Sequence, residues 1–129
     1  MAVSFNHTII EAHDREGSAA FLTEILGLPA HGHFGPFAVV QVGETSLDFA
    51  QTDKTISPRH FAFLVSEPEF DDIFGRIQSR NLPYWADPFH KEPDAINHRD
   101  GGRGFYFDDP NGHNLEILTR PYGSGGQGA

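Results

Sequence analysis

Alternating apolar and polar positions at the start of the chain predict a strand, and helical periodicity follows it. In FNHTIIEA, residues 5–12, every second side chain falls on one face, as in a half-buried strand. Apolar residues then recur at helical spacing from about Arg15 to Leu26, and Gly27 follows as a helix stop. FAVVQVG (37–43) and TSLDFAQ (45–51) predict two further strands joined by a tight turn.

The same order of elements starts again after Pro58. HFAFLV (60–65) predicts a strand, and Ser66 with Glu69 three residues later predicts a capping box that opens a second helix. LPYWADPF (82–89) predicts another strand, followed by a polar loop. Two short alternating runs, GFYFDD and HNLEIL, then predict a closing hairpin.

Residues that could bind a metal or take part in catalysis recur at equivalent places in the two halves. His7 and His60 each begin a first strand, and Asp48 and Glu116 occupy the same place in each last strand. Two units related by a pseudo-twofold axis place equivalent residues around that axis, so these four side chains could converge. Two imidazoles with one or two carboxylates suit Fe(II), Mn(II), Ni(II) or Zn(II).

This self-similarity predicts an α+β fold of two tandem βαβββ modules, at about residues 3–52 and 58–120. At 129 residues the chain has the length of one ordinary domain. We therefore predict a single domain over residues 1–121. Residues 122–129 end in the linker-like run GSGGQGA and predict a disordered tail.

The closing hairpin carries the most informative local signal. DDPNG, residues 108–112, is a turn sequence, and a hairpin centred near Asn111 makes Tyr106 and Glu116 cross-strand neighbours. Side chains in such a pair lie roughly 5 Å apart. A phenol beside a carboxylate suits a metal or acid/base site, in which Tyr106 could donate to a developing oxyanion. The alternatives are a surface hairpin with a polar face and a tyrosine that only packs.

Composition and charge narrow the classes of partner and compartment. Eighteen acidic residues against nine Lys and Arg give a net charge of −9, and no basic face is apparent, which argues against nucleic acid. The absence of cysteine excludes disulfides, thiolate ligands and a cysteine nucleophile. No apolar run approaches the ~18 residues of a membrane span, and MAVSFNH does not resemble a signal peptide. We expect a soluble cytoplasmic protein.

Three segments, NHTI, RHFAF and YFDDPNGHNLEI, resemble the vicinal oxygen chelate superfamily. That superfamily includes glyoxalase I, extradiol dioxygenases, fosfomycin-resistance transferases and bleomycin-binding proteins. The resemblance implies paired modules whose mixed sheet curves around a divalent metal and leaves sites open for two substrate oxygens. It implies His7, His60 and Glu116 as the metal ligands. Asp48 falls where glyoxalase I has a further glutamate ligand, so a fourth bond from this shorter side chain stays open.

The C-terminal segment also resembles the extradiol dioxygenase signature, in which His98 and Tyr106 would lie beside the metal-bound substrate. The part from Tyr106 to Glu116 also resembles fosfomycin-resistance enzymes, and typical extradiol enzymes have two module pairs. The resemblance thus implies a metal-dependent, dioxygenase-like oxidoreductase acting on a small oxygenated molecule, with Fe(II) or Mn(II) favoured and Zn or Ni possible. The alternatives are a glyoxalase I-like lyase, a fosfomycin-resistance-type thiol transferase and a non-enzymatic bleomycin-type drug-binding protein.

Other polar residues have weaker support from the sequence. His31 and His33 form an H-x-H that can hold a metal, but they have no carboxylate partner in sequence and GHFG is typical of a loop, so we favour no metal there. Arg103 and Arg120 could bind an anionic substrate. Relatives with one module pair are usually dimers, which predicts a homodimer whose sites lie within one chain or are shared between two.

Overall fold

The structure, a computed structural model, describes residues 2–125. The chain divides into two compact units, Met1–Ser57 and Pro58–Ala129, and the division falls between the two predicted modules. Within residues 2–125 the architecture is the predicted α+β class, with two mixed sheets and two α-helices. Neither of these helices has the length and apolar character needed to cross a membrane, over the part of the chain that the structure describes.

The first unit places one helix on a four-stranded sheet. Its elements are β1 (His7–Ala12), α1 (Arg15–Leu26), β2 (Gly32–Phe34), β3 (Phe37–Val42) and β4 (Thr45–Gln51). The sheet order is β1-β4-β3-β2, with β1 parallel to β4 and the other pairs antiparallel. The predicted helix is confirmed: the Asp14 side chain caps its start, and Gly27 ends it with a φ of 71° that suits glycine.

The second unit repeats this plan with one regular strand fewer. Its elements are β5 (His60–Leu64), α2 (Glu67–Ser79), β6 (Gly104–Asp108) and β7 (Asn114–Leu118), in the sheet order β5-β7-β6. The predicted capping box is confirmed, because Ser66 accepts from the Glu69 backbone N–H while the Glu69 carboxylate accepts from that of Ser66. Phe70, Ile73 and Ile77 form the buried face of α2.

The strand registers confirm that the two halves are equivalent. In each unit the first and last strands pair in parallel. Asp48 pairs with the residue two positions after His7, and Glu116 pairs with the residue two positions after His60. Each carboxylate therefore stands at the same place relative to the histidine that opens its sheet.

Two predictions of local structure are wrong. GHFG is not a loop, because Gly32–Phe34 pairs with β3 as the edge strand β2. Residues 82–89 do not form a strand: Trp85 makes only isolated bridges, to Pro93 and Tyr106. Prolines at both ends of that segment withhold backbone N–H groups. The buried carboxylate of Asp87 accepts from three backbone N–H groups within residues 89–92, which stabilises a compact loop instead.

The first part of the predicted tail has hydrogen-bond partners, and disorder of the tail stays a prediction. Residues 122–125 form a turn, and the Asp100 carboxylate accepts hydrogen bonds from the backbone N–H groups of Gly123 (2.9 Å) and Gly125 (3.1 Å). Asp100 is itself part of a short 3-10 turn, Arg99–Gly101, in the long loop before β6. The remainder of the predicted tail, 126–129, lies outside the described residues.

Candidate functional site in the second unit

The closing hairpin has the predicted register. Tyr106 on β6 pairs directly with Glu116 on β7. The turn between the strands is set by Asp109, whose carboxylate accepts from the backbone N–H groups of Asn111 (2.8 Å) and His113 (2.9 Å). Gly112 takes a φ of 87°, which glycine adopts without strain. The local turn chemistry thus holds the phenol and the carboxylate side by side.

Aromatic packing under the sheet makes this hairpin rigid. Phe105 and Phe107 alternate with Tyr106 along β6 and are fully buried on the opposite face. The ring of Phe105 packs against Phe70 at 5.4 Å and Phe74 at 5.2 Å between centroids, both from α2. A slip of one residue would exchange these rings with the polar face, so core packing also determines which side chains reach the site.

His60 joins Tyr106 and Glu116 on the polar face. Its Nε2 lies 2.9 Å from Glu116 Oε1, and its ring stacks on Tyr106 at 5.8 Å and 29°. Its Nδ1 lies 3.1 Å from the Asn114 carbonyl oxygen. The imidazole is about half exposed, whereas the Glu116 carboxylate is mostly covered (47% and 13% side-chain exposure).

This hydrogen bonding fits a divalent cation. A carbonyl oxygen only accepts, so the contact to Asn114 requires a proton on Nδ1 of His60. The other ring nitrogen, Nε2, then faces a carboxylate oxygen of Glu116 at 2.9 Å, where either a proton or a cation can join the two atoms. Metal-bound histidines commonly have their other ring nitrogen fixed in this way. His60 and Glu116 are therefore suitable donors for a divalent ion.

Tyr106 is held as a neutral phenol. Burial, followed by the negative charge of Glu116, raises the pKa of Tyr106, and the hydrogen bond from Arg99 opposes this shift. The Arg99 Nη1 donates to the phenol oxygen at 2.6 Å, so the oxygen is already oriented. The site thus contains a proton donor that stays protonated around neutral pH.

A cavity of about 210 Å³ opens beside these groups. Tyr106 and Glu116 line it together with Asn97 and three arginines, Arg99, Arg103 and Arg120. The charge of Arg103 is compensated by Glu67 at 2.7 Å and by an aspartate of α2. The cavity is large enough for a small molecule with oxygen substituents.

Two of the predicted site residues belong to the first unit. His7 is exposed at the start of β1, and its Nδ1 lies 2.6 Å from the Asn6 side-chain oxygen. Asp48 is buried and accepts from the Ser46 hydroxyl at 2.9 Å, so it does not lie on a solvated outer face. Metal binding by His7 and by Asp48 stays a prediction.

His98 is exposed, and the residues on either side of it, Asn97 and Arg99, line the cavity instead. A catalytic role for His98 stays a prediction. Sequence reasoning missed Arg99, because an arginine in a long polar loop carries no local signal of its contact with Tyr106.

The structure supplies the carboxylate that His31 and His33 lack in sequence. Glu16, in the first turn of α1, lies within 2.9 Å of both imidazoles. The missing carboxylate in sequence was one reason to favour no metal at this motif, and the folded chain supplies that carboxylate.

Similarity to known proteins extends over almost the entire chain. The sequence profile of the Glyoxalase/Bleomycin resistance protein/Dioxygenase superfamily matches residues 4–117. The solved structure of Oxidase ChaP-H2 is 60% identical with a TM-score of 0.94, covering 97% of this chain and 99% of that chain. Oxidase ChaP-H1 is 59% identical with a TM-score of 0.92, covering 95% and 99%. Glutathione transferase FosA from Serratia marcescens is 27% identical over 91% of this chain and 81% of its own length. The chain belongs to the Glyoxalase/Bleomycin resistance protein/Dioxygenase superfamily.

Proposed function

We propose that this protein is a metal-dependent, dioxygenase-like oxidoreductase acting on a small molecule with two neighbouring oxygen atoms. The observation that carries the proposal is the contact of His60 with Glu116 and Tyr106, the two residues of this group that line the cavity. Members of this superfamily use divalent metal ions. The 60% identity to a protein named an oxidase supports oxidative chemistry over thiol transfer, for which the identity is 27%.

His7, His60 and Glu116 are the proposed metal ligands, and two histidines with one carboxylate favour Fe(II) or Mn(II). The ion would supply Lewis-acid stabilisation of negative charge on the two substrate oxygens and open positions for dioxygen. His60 enters this set already oriented by the Asn114 carbonyl. His7 is proposed because its place relative to β4 matches that of His60 relative to β7.

Tyr106 and Arg99 are proposed to act on the substrate rather than on the ion. The phenol donates a hydrogen bond or proton to the substrate oxygen that gains charge, since its raised pKa keeps it protonated. Arg99 orients that phenol through its 2.6 Å hydrogen bond and adds positive charge at the cavity. His98 is proposed as an assisting group that would have to turn from its exposed position.

The experiment is anaerobic reconstitution of the metal-free protein with Fe(II) or Mn(II), followed by oxygen uptake with a panel of catechols. We expect uptake with at least one catechol. His60→Ala and Glu116→Gln should abolish it, whereas His13→Ala, an exposed histidine on the first unit, serves as the matched control. If no catechol supports uptake, and the protein instead joins a thiol to an epoxide such as fosfomycin or isomerises a hemithioacetal, the dioxygenase proposal is refuted.

Thiol transfer is the second candidate function, favoured by the similarity to FosA over most of both chains. A drug-binding protein without catalysis predicts a different result. In that case the purified protein would contain no metal and would take up none after incubation with Fe(II), Mn(II) or Zn(II).

We also propose a homodimer, with His7 supplied either by the same chain or by a second copy. Mixing His7→Ala chains with Glu116→Ala chains distinguishes these origins. Partial recovery of oxygen uptake in the mixture supports shared sites, whereas no recovery supports sites within one chain. A monomeric mass by light scattering would refute the dimer.

A further inference from the structure

The first unit contains a second group of metal-type ligands, which we call the Glu16 cluster: Glu16, His31 and His33. His31 Nε2 lies 2.9 Å from Glu16 Oε1, and His33 Nε2 lies 2.9 Å from both carboxylate oxygens. One ligand atom from each residue lies within 4.8 Å of the other two. The three side chains thus direct a nitrogen, a nitrogen and an oxygen towards one small volume.

The cluster is built by secondary structure rather than by loose surface side chains. Asp14 caps α1 and fixes the first helical turn, which carries Glu16. His33 belongs to β2 and pairs with Ala38 of β3, and His31 stands two residues earlier on the extended chain. His31 lies one residue before this strand, and both imidazoles reach the same carboxylate.

Hydrogen bonds from the two histidines favour the ionised form of the Glu16 carboxylate. Hydrogen bonds from His31 and then His33 lower the pKa of Glu16 to about 2. Arg15 Nε is 3.5 Å from the same carboxylate, but the Arg15 guanidinium also donates through Nη1 to the Pro36 carbonyl at 2.5 Å. When a cation binds Nε2 of a neutral imidazole, that nitrogen carries no proton. The cation would then take the place of the N–H donor beside the Glu16 carboxylate.

We propose that Glu16, His31 and His33 bind a divalent transition-metal ion such as Zn²⁺, with at least one coordination position left open. Two nitrogens and one carboxylate oxygen are a suitable zinc donor set. Ligand atoms about 2.1 Å from a tetrahedral ion lie roughly 3.4 Å apart. The 2.9 Å contacts would therefore open by about half an ångström, a movement that His33 and Glu16 can make because their side chains are half exposed.

This site is independent of the function proposed above. None of its ligands is shared with His7, His60 or Glu116, and it links the start of α1 to the edge strand β2. A bound ion would therefore stabilise the edge of the first sheet, and none of its three ligands lines the cavity beside Tyr106. Its occupancy can be measured in a protein whose proposed catalytic centre has been removed.

The experiment uses the full chain carrying His60→Ala and Glu116→Gln, stripped with a chelator and dialysed against Zn²⁺. Elemental analysis is expected to find one tightly bound zinc per chain. Adding His31→Ala and His33→Ala should remove that equivalent, while adding His13→Ala as a matched control should not. In the corresponding Co²⁺ protein, visible absorption should appear with one equivalent and disappear in the quadruple variant.

Two results would overturn the proposal: no zinc bound to the background variant, or the same zinc stoichiometry after loss of both histidines. Circular dichroism checks the fold of each variant. Should the double histidine variant unfold, Glu16→Gln keeps the side-chain size and should weaken zinc binding about tenfold or more. Changes to residues that only hydrogen-bond to a metal ligand already have effects of that order. Unchanged affinity in Glu16→Gln would show a hydrogen-bonded cluster without a metal site.

Discussion

Replacing Tyr106 with phenylalanine separates a catalytic phenol from a tyrosine that only packs. The substitution keeps the buried ring and its stacking on His60 and removes only the hydroxyl. That hydroxyl accepts from Arg99 at 2.6 Å and interacts with Glu116. If the phenol donates a proton to the substrate, its loss should lower kcat roughly 100-fold or more, in the range found for general acids.

The effect on folding should be small by comparison. The hydroxyl makes a hydrogen bond to a charged donor, but Arg99 is exposed and water can take the place of its lost partner. We expect the free energy of unfolding to fall by about 1 kcal/mol. KM should change little, because the lost interaction strengthens only as negative charge develops on the substrate.

The assay is steady-state oxygen uptake with the best catechol, together with urea unfolding of the same preparation. Tyr84→Phe is the matched control: this half-buried tyrosine packs on Phe74 at 5.0 Å and lies outside the cavity lined by Tyr106. Its kcat should stay within about twofold of the original protein. An unchanged kcat in Tyr106→Phe, with or without a loss of stability, would show that the hydroxyl takes no part in the reaction.

Three further predictions concern pH and stability. The pKa of Tyr106 is raised in the folded protein, so the unfolded chain loses this proton at a lower pH than the folded chain does. The contribution of Tyr106 to the free energy of unfolding is complete below about pH 10 and declines as the pH rises towards the folded pKa. Unfolding measurements at pH 8–11 should detect this decline, and Tyr106→Phe should diminish it. Ser66→Ala removes half of the capping box and should cost about 1 kcal/mol in chemical denaturation, whereas Ser79→Ala at the other end of α2 should cost less. Phe105→Ala removes a fully buried ring that contacts Phe70 and should cost about 3–5 kcal/mol; a loss below about 1 kcal/mol would show that the core collapses around the gap or was poorly packed.

Local signals in the sequence were sufficient for the elements that depend on neighbouring residues. The capping box at Ser66, the glycine stop at Gly27 and the DPNG turn act over a few positions, and all three are present in the structure. The turn also determines strand register, which is why the pairing of Tyr106 with Glu116 could be predicted. The equivalence of Asp48 and Glu116 followed from the internal repeat.

Edge structure depended on tertiary contacts. Gly32–Phe34 has the composition of a loop and becomes a strand because β3 offers unpaired hydrogen-bonding groups. Residues 82–89 have an apolar pattern, yet the segment forms a loop. The Asp87 carboxylate accepts hydrogen bonds from backbone N–H groups of the following residues and stabilises that loop. Whether each of these segments forms a strand depends on the hydrogen-bond partners that the folded chain offers, and local propensity does not determine those partners.

Residue types and their spacing were enough to identify the side chains that could take part in chemistry: the paired histidines, the last-strand carboxylates and the H-x-H motif. Their partners depended on how the chain folds. Arg99 reaches Tyr106 from a long loop, and Glu16 meets His31 from a helix fifteen residues earlier. Periodicity and turn sequences depend on neighbouring positions along the chain, whereas these hydrogen bonds join residues that are far apart in sequence. The packing of loop on sheet therefore brings Arg99 to Tyr106, and the packing of helix on sheet completes the Glu16 cluster.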